Sequence, residues 1–212
     1  MLLHDSSLND LHRRRRQVDG RRLRSERTRH LIIEAYLDLL RLAPGMPTAG
    51  QIAEHAGYSV RSIFERFSDL DALSLAAADY ALAVGQTEAA AHDVEGDRPA
   101  RIRSHVETRA YACEKWLPLW RILIGSQNKV ADLKPRIALA RQGNMTRLKR
   151  MYAPELSALA APAREQLLVA LVALISFESW DLMRDHFGLS PEAARDVWRS
   201  TIDRMLPPTP PR

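Results

Sequence analysis

Nine arginines lie close together near the N-terminus, with only two carboxylates, Asp19 and Glu26, among them. They stand at positions 13, 14, 15, 16, 21, 22, 24, 27 and 29. A guanidinium group forms paired hydrogen bonds with a phosphate and is more weakly hydrated than an ammonium group, which suits it to the DNA backbone or minor groove. The segment from His12 to Arg29 has a net charge of +7, whereas the whole chain has a net charge of +5. The remaining residues therefore carry a net charge of −2. This pattern favours a nucleic-acid partner; the alternative is a solvated tail without one.

A second pattern, TAGQIAEHAGYSVRSIFERF, begins at Thr48 and reads as two short helices broken at Gly57. Thr48 and Gln51 have the spacing of a capping box, and Ser59 predicts the start of the second helix. Gly57 suits the left-handed conformation at a helix end, where a Cβ costs about 1 kcal/mol or more. Two short helices joined by so tight a turn predict a helix-turn-helix.

The first turn of the second helix holds the side chains best able to read DNA bases, because such a turn projects them toward the major groove. Arg61 can pair bidentately with a guanine edge, and Val60 can contact a thymine methyl group. Ser59 and Ser62 can bind phosphate or base. The alternative is an ordinary corner between two helices that never meets DNA. The basic arm argues against it, since arms of this kind enter the adjacent minor groove in homeodomain-like proteins.

Composition and periodicity predict an all-α protein of about nine helices. Gly is scarce, and Ala, Leu, Arg and Glu dominate, so local propensity favours helix. The four expected segments are a flexible arginine-rich arm (1–24), a helix-turn-helix domain (25–70), a ligand-binding and dimerisation domain (71–206) and a disordered tail (207–212). Within them, we expect helices from about Ser25 to Leu42, from about 100 to 116 with an interruption near Pro118, and from about 163 to 187.

The same totals argue against several function classes. A single cysteine, Cys113, fits a reducing compartment, and the longest apolar run, 167–175, is well under the roughly 20 residues that cross a bilayer. No secretory signal is recognisable at the N-terminus, so we expect a soluble, cytoplasmic protein with no membrane partner. The seven histidines have no metal-ligand spacing, and there is no phosphate-binding glycine loop, so we expect no metal, no cofactor and no enzyme activity.

The helix predicted over 163–187 is apolar nearly all round from Leu167 to Phe177, so both of its sides must be covered. One possibility is burial within a single larger core. A second copy of the chain is the other, and a two-fold dimer would present two recognition helices to half-sites about one DNA turn, or a multiple of it, apart. The candidate contacts on this helix are Leu168, Leu171, Val172 and Ile175.

Aromatic residues and methionines from several predicted helices could line a ligand cavity, although each could equally belong to an ordinary core. The candidates are Tyr111, Trp116, Trp120, Met145, Tyr152, Phe177 and Trp180. A pocket with such walls favours a small apolar or aromatic molecule.

The segment from about Arg24 to Tyr80, with LIIEAYLDLL and TAGQIAEHAGYSVRSIFERFSDLDAL, resembles the DNA-binding domain of the TetR family of transcriptional regulators. In that family a helix-turn-helix precedes an all-α ligand-binding and dimerisation domain, whose last two helices form the dimer interface. The resemblance implies that these helices are about 163–187 and 190–206 here, with Val197, Trp198 and Met205 as candidate contacts in the second. The resemblance implies that Thr48 caps its helix at a phosphate and that Phe64 and Arg66 approach the DNA backbone. Tyr58 either reaches the backbone as well or packs.

Several positions depart from the family's usual pattern. Phe64 stands where a tyrosine is common, Arg66 where a tyrosine or histidine is common, and Leu70 where a lysine is common. Phe64 loses a hydroxyl hydrogen bond and Leu70 loses a phosphate contact, whereas Arg66 could replace its contact with a charge. The basic arm would supply the lost contacts, with Arg21, Arg22 and Arg24 nearest the domain.

The predicted function is therefore that of a homodimeric regulator, a repressor that leaves its double-stranded DNA operator when an apolar or aromatic effector binds. The helix from Asp69 to about His92 would couple the two sites. Two other readings stay open: a helical small-molecule sensor or interaction protein that binds no DNA, and a small helical enzyme acting on the same apolar ligand.

Overall fold

The protein, described here by a computed structural model over residues 5–90 and 95–211, is built from helices. The described residues contain ten α-helices, one π-helical turn and no strand, which confirms the all-α prediction with one helix more than expected. The α-helices are α1 (Asp5–Leu42), α2 (Ala49–Ala56), α3 (Val60–Phe64), α4 (Leu70–Ala90), α5 (Arg98–Ser126), α6 (Leu133–Met151), α7 (Ala153–Ser157), α8 (Ala161–Leu174), α9 (Phe177–Asp181) and α10 (Pro191–Met205). The π-helical turn, Leu182–His186, follows α9 directly.

The chain divides into two compact units, Met1–Ala77 and Ala78–Arg212. The first unit extends past the predicted border at Leu70 because the first turns of α4 belong to its core. There the Tyr36 hydroxyl of α1 and the Ser74 hydroxyl of α4 are hydrogen-bonded at 2.9 Å, and both side chains are buried. Leu73 and Ala77 of α4 are also fully buried. Helix α4 thus contributes its beginning to one unit and its remainder to the other.

Helix α1 begins much earlier than expected. Its predicted start near Ser25 is wrong, since the helix extends back to Asp5 and includes most of the segment expected to be a flexible arm. Arginine and leucine both have high helix propensity, and 5–24 contains no proline, so the sequence offers little to end the helix.

Helix α5 continues through Pro118, where an interruption was expected. Proline removes one helical hydrogen bond, the one to the carbonyl of Glu114, and its ring crowds that carbonyl. Tertiary packing offsets the loss, because Cys113 and Trp116 before the proline and Leu119 after it are all buried.

The single helix predicted over 163–187 is divided in the structure. Helix α8 ends at Leu174, and Ser176 caps α9 by accepting a hydrogen bond from the Ser179 amide at 3.0 Å. A serine at an N-cap competes with the continuing helix for backbone groups, which explains the break. No single described helix could span a bilayer by length and apolar content; α8 and the 177–186 segment pass that criterion only together, as a pair bent by 45°.

The C-terminal segment is attached by hydrogen bonds to other parts of the second unit and is not the disordered tail that was expected. The Thr209 hydroxyl donates to Glu155 Oε1 at 2.5 Å, and Arg98 Nη1 at the start of α5 donates to the carbonyl of Pro207 at 2.5 Å. Arg98 Nε also donates to Asp203 Oδ1 at 2.8 Å. The end of α10 and the residues after it are therefore attached to the beginning of α5.

Candidate nucleic-acid interface and ligand cavity

The turn between α2 and α3 has the geometry that the sequence predicted. Thr48 Oγ1 accepts from the Gln51 amide at 3.3 Å, and Gln51 Oε1 accepts from the Thr48 amide at 2.9 Å, which completes a capping box. Gly57 lies in the left-handed region at φ 71°, and the Tyr58 amide donates to the Ala53 carbonyl at 2.9 Å. This is a Schellman arrangement, which a glycine accommodates without steric cost.

Helix α3 is short and has one buried and one exposed face. Ser59 caps it by accepting from the Ser62 amide at 3.1 Å. Ile63 and, just after the helix, Phe67 are buried, whereas Phe64 is 47% exposed. The aromatic ring of Phe64 is therefore available to a partner.

Arg61 is the basic residue of α3, and its guanidinium group is accessible. Its side chain is 88% exposed, and Val60 beside it is 42% exposed. Arg61 Nε donates to Glu65 Oε1 at 3.0 Å, one helical turn further on. An exposed pair of this kind contributes only about 0.3–0.5 kcal/mol, so a stronger acceptor can displace it.

Arg66 and Tyr58 are engaged within the first unit. Arg66 Nη1 donates to the Ser62 carbonyl at 2.9 Å, and the Arg66 carbonyl accepts from Arg29 Nη1 at 3.2 Å. Arg29 in turn lies 4.4 Å from the centre of the Phe67 ring. The Tyr58 hydroxyl accepts from Thr28 Oγ1 at 3.4 Å. These contacts connect α1 to the turn and to α3, so Arg66 and Tyr58 have a structural role in addition to any contact with DNA.

Three arginines of the arm were predicted to contact DNA. Arg22 and Arg24 are exposed on α1, on the stretch that precedes the buried residues of that helix. The side chain of Arg21 lies outside the described residues.

A cavity of about 760 Å³ lies within the second unit. Its walls come from α4, α5, α6 and the first residue of α9, so they include Gly85, Trp116, Leu139 and Phe177. Trp120 stacks on Phe177 with ring centres 4.7 Å apart. The volume is within the range of pockets for drug-sized molecules. Four of the seven predicted lining residues, Tyr111, Trp116, Trp120 and Phe177, do line this cavity.

The other three predicted lining residues lie elsewhere. Tyr152 is fully buried, and its hydroxyl is hydrogen-bonded to His105 Nδ1 at 2.9 Å. Trp180 is fully buried and lies against Trp198, with ring centres 4.6 Å apart. Its indole NH donates a hydrogen bond to Glu114 at 2.7 Å. Met145 lines a second, smaller cavity of about 470 Å³.

Polar residues of the large cavity were missed by sequence reasoning. His105 and Arg109 on α5 and Arg147 on α6 contribute to its walls. Burial and the charges of Arg147 and Arg109 lower the pKa of His105 to about 3, so its ring is neutral at physiological pH. On α5, the buried residues Arg101, His105 and Arg109 follow an i, i+4, i+8 spacing, which was the available signal for the α5 residues.

The predicted dimer contacts separate into two groups. Leu168, Leu171, Ile175 and Trp198 are at most 3% exposed, so they form the chain's own core and their assignment to an interface is wrong. Val172 and Met205 are half-buried, and Val197 is 41% exposed. The exposed stripe of α8 was missed: Val169, Ala170 and Ala173 lie on one face at i, i+1 and i+4. The apolar helix therefore has one side buried in the chain's own core and an outer, exposed side that consists of these three residues.

No metal site is evident, since the described residues contain no group of three or more His, Cys, Asp or Glu side chains placed to hold an ion. Burial raises the pKa of the Cys113 thiol to about 11, which keeps it protonated and unreactive.

Comparison with known proteins gave structural matches only. No family profile matches the sequence, and no curated protein does. A TetR-family transcriptional regulator from Streptomyces coelicolor superposes with a TM-score of 0.69 at 16% identity, covering 85% of this chain and 79% of the other. A second TetR-family member, from Streptomyces coelicolor A3, gives 0.58 at 20% identity, covering 85% and 98%. A transcriptional regulator from Rhodococcus sp. Rha1 gives 0.63 at 14% identity, covering 84% and 95%. The chain therefore has the fold of TetR-family transcriptional regulators.

Proposed function

We propose that the protein is a cytoplasmic, DNA-binding transcriptional regulator of the TetR family, which represses by binding its operator as a homodimer and is released by a small-molecule effector. The observation that carries the proposal is the helix-turn-helix, in which Gly57 ends α2 in the left-handed conformation and α3 then exposes Val60 and Arg61 while burying Ile63. A recognition helix needs this combination, since one face must be fixed in the domain and the other free for the major groove.

Arg61 is the principal base-reading residue. A guanidinium can donate two hydrogen bonds to the O6 and N7 atoms of guanine, a contact worth about 1–3 kcal/mol of discrimination. The pair that Arg61 forms with Glu65 is exposed, and only its Nε atom is engaged at 3.0 Å, so the guanidinium remains able to turn toward a base. Val60 and the exposed Phe64 supply apolar contacts beside it.

Contacts to the DNA backbone come mainly from α1 and from the helix caps. Arg66 already donates to the Ser62 carbonyl, and Leu70 has no group to offer a phosphate. Arg22 and Arg24 are exposed, as is Thr48 at the start of α2. The nine arginines from Arg13 to Arg29 then provide the sequence-independent part of the affinity.

A second copy of the chain covers the exposed stripe of α8. Val169 is 62% exposed and Val197 of α10 is 41% exposed, although both helices bury their other faces in the chain's own core. A small-residue stripe formed by Ala170 and Ala173 lets a partner helix approach closely. Two-fold pairing through α8 and α10 presents two recognition helices, which matches a palindromic operator.

Helix α4 couples the cavity to the DNA-binding unit. Its first turns carry Leu73 and Ser74 in the core of the first unit, and Leu82 and Gly85 further along the same helix line the cavity. An effector that favours one tilt of α4 changes the population of DNA-competent dimers by its difference in affinity for the two states.

The proposal is tested by gel shift with the DNA upstream of the protein's own gene. The parent protein should bind a specific fragment, and Arg61→Ala should weaken that binding by about tenfold or more. Arg199→Ala is the matched control, because Arg199 is an exposed arginine of α10 paired with Asp196 at 3.0 Å. Absence of binding to this and other candidate operators would contradict the proposal and favour a sensor without a DNA role.

A further inference from the structure

The wall of the large cavity contains hydrogen-bond donors without acceptors. Within the part of the chain that the structure describes, Arg109 Nη2, Arg147 Nε, Arg147 Nη2 and Trp116 Nε1 are buried and have no hydrogen-bond partner. A buried donor without a partner is unfavourable because it has lost its hydrogen bonds to water, and more so when it is charged. Four such atoms, on three residues of α5 and α6 that line one cavity, point to an acceptor supplied from outside the chain.

The two arginines are held in place by their remaining nitrogen atoms. Arg109 Nε donates to the Ile175 carbonyl at 2.8 Å, and its guanidinium lies 4.3 Å from the centre of the Phe177 ring. Arg147 Nη1 donates to the carbonyl of Ala89. Each guanidinium is therefore anchored on one side and offers further N–H groups, an arrangement that suits bidentate binding of an anion.

The charges that line the cavity do not balance. Arg136 is neutralised by Asp79, with two contacts of 2.7 and 2.8 Å, and Glu88, the carboxylate of the lining, is neutralised by Lys115 at 2.6 Å. Arg109, Arg147 and Arg150 form no ion pair with any carboxylate among the described residues. His105 adds no charge, because its pKa is lowered to about 3. The cavity therefore has an excess of positive charge in partly buried surroundings.

Most of the remaining lining is apolar, although it includes a few uncharged polar side chains from α4, α5 and α6. Trp116 is 6% exposed, Trp120 is 7% exposed and stacks on Phe177, and Leu119 and Leu123 complete the α5 wall. A ligand that satisfies the arginines with one end can thus bury a hydrophobic body of drug-like size against the indole rings.

We propose that the cavity binds an organic acid, whose carboxylate accepts hydrogen bonds from Arg109 and Arg147 and whose aromatic or alkyl body lies along Trp116, Trp120 and Phe177. This inference rests on the proposed role of the cavity as the effector site. It replaces the neutral apolar molecule that the aromatic residues alone suggested, because a ligand without a hydrogen-bond acceptor would leave the guanidinium donors buried without a partner.

A pair of fluorescent dyes with the same aromatic body tests the proposal directly. 1-Anilinonaphthalene-8-sulfonate carries a sulfonate, which stands in for the carboxylate, and N-phenyl-1-naphthylamine lacks it. Both are titrated into the purified full-length protein without DNA. The anionic dye should bind one site per chain at least tenfold more tightly than the neutral dye, since hydrogen bonds to charged groups are worth about 1.5–3 kcal/mol. Equal affinity for the two dyes would overturn the proposal.

Substitutions of Arg147, which is only half-buried, separate charge from packing. Arg147→Gln should weaken the anionic dye about tenfold while changing the neutral dye less than twofold, and Arg147→Lys should give an intermediate loss because it keeps the charge without the planar fork. Arg199→Gln on α10 makes the same charge change outside the cavity and should alter neither dye. Thermal unfolding of each variant shows whether it is folded. Equal weakening of both dyes in a folded Arg147→Gln protein would contradict the proposal.

Competition extends the test to carboxylates. Decanoate should displace the anionic dye at a concentration at least tenfold lower than decan-1-ol, which has the same chain and no charge; equal displacement would count against the proposal. Because no DNA is present, these outcomes are independent of operator binding. A protein that binds the anion but no operator would contradict the proposed regulatory function and leave this inference standing.

Discussion

Arg101 and Glu155 form a buried ion pair with two hydrogen bonds, from Arg101 Nη2 to Glu155 Oε1 at 2.6 Å and from Nη1 to Oε2 at 2.9 Å. The pair joins the first turn of α5 to α7, and Thr209 adds a third hydrogen bond from the C-terminal segment. Arg101 Nη1 also donates to the Met151 carbonyl at 2.5 Å. The beginning of α5 and the C-terminal segment are therefore both attached to α7 through the carboxylate of Glu155.

Glu155→Gln should destabilise the second unit. Removing one charge from a buried pair leaves the other uncompensated, which costs about 3–5 kcal/mol. Chemical denaturation at neutral pH measures the loss. Asp196→Asn is the control, because its partner Arg199 is exposed and such pairs contribute about 0–1 kcal/mol. Equal free energies of unfolding for Glu155→Gln and the parent protein would show that the pair contributes no net stability.

The same carboxylate predicts acid sensitivity. Burial by itself raises the pKa of Glu155, but the hydrogen bonds from Arg101 and Thr209 outweigh it and hold that pKa at about 2, below its ordinary value of 4.5. The stabilisation is therefore fully present above about pH 4.5 and is lost as the pH falls toward 2. Unfolding free energies measured across this range should fall more steeply for the parent protein than for Glu155→Gln; parallel curves would contradict the assignment.

The loss of stability on substituting Gly57 should depend only on how well the new residue adopts the left-handed backbone conformation. A Cβ built at this position meets no atom within 4 Å, so the cost of Gly57→Ala is the strain of the left-handed conformation, about 1–2 kcal/mol. Gly57→Asn should cost less, since asparagine adopts that conformation more readily. Gly125→Ala, at a helical glycine that is equally open, should be neutral or stabilising. Thermal unfolding ranks the four proteins, and a Gly57→Ala protein as stable as the parent would exclude this role for the glycine.

Deleting residues 1–22 should weaken DNA binding most at low salt. The segment holds six arginines, and each one that contacts a phosphate contributes about 0.9 to the slope of log affinity against log salt concentration. Full-length protein with these six arginines changed to glutamine separates charge from length. Unchanged affinity at moderate salt in both proteins would show that the arm does not compensate for Phe64 and Leu70.

Val169→Glu should convert the proposed homodimer to a monomer, because it places a charge on the exposed apolar stripe of α8. Light scattering after size exclusion measures the oligomeric state. Leu139→Glu is the control, since Leu139 is an exposed leucine of α6 and its substitution should leave the dimer intact. A dimeric Val169→Glu protein would place the interface elsewhere.

The parts of the fold that local chemistry determines were predictable. Thr48, Gly57 and Ser59 act through hydrogen bonds and dihedral preferences within a few residues, and the structure places each as a cap or turn residue as expected. The division of the apolar α8–α9 stretch was not predicted, because hydrophobicity outweighed the capping signal of Ser176. Pro118 was misjudged for the opposite reason, since the packing around it depends on residues distant in sequence.

The candidate cavity was half predictable. Aromatic residues are visible in a sequence, but their placement in a cavity or in the core is not, and Trp116 and Trp180 were indistinguishable on that basis. Arg109 and Arg147 were missed because basic residues are usually solvated, and only the tertiary structure shows that their guanidinium groups have buried N–H atoms without acceptors. Some of the predicted dimer contacts were wrong for a similar reason. Leu168 and Val169 are adjacent and apolar, yet Leu168 faces the core and Val169 faces solvent.

Pro118 gives the wall of the cavity a mechanical property. The residue lies between Trp116 and Trp120 in the 29-residue helix α5, and proline has no amide hydrogen for the carbonyl of Glu114 to accept. A helix with one hydrogen bond fewer resists bending less at that point. The two indole rings are thus carried by the most easily bent stretch of α5, so the cavity can adapt its width to ligands of different thickness while the arginines that hold the charged end stay anchored.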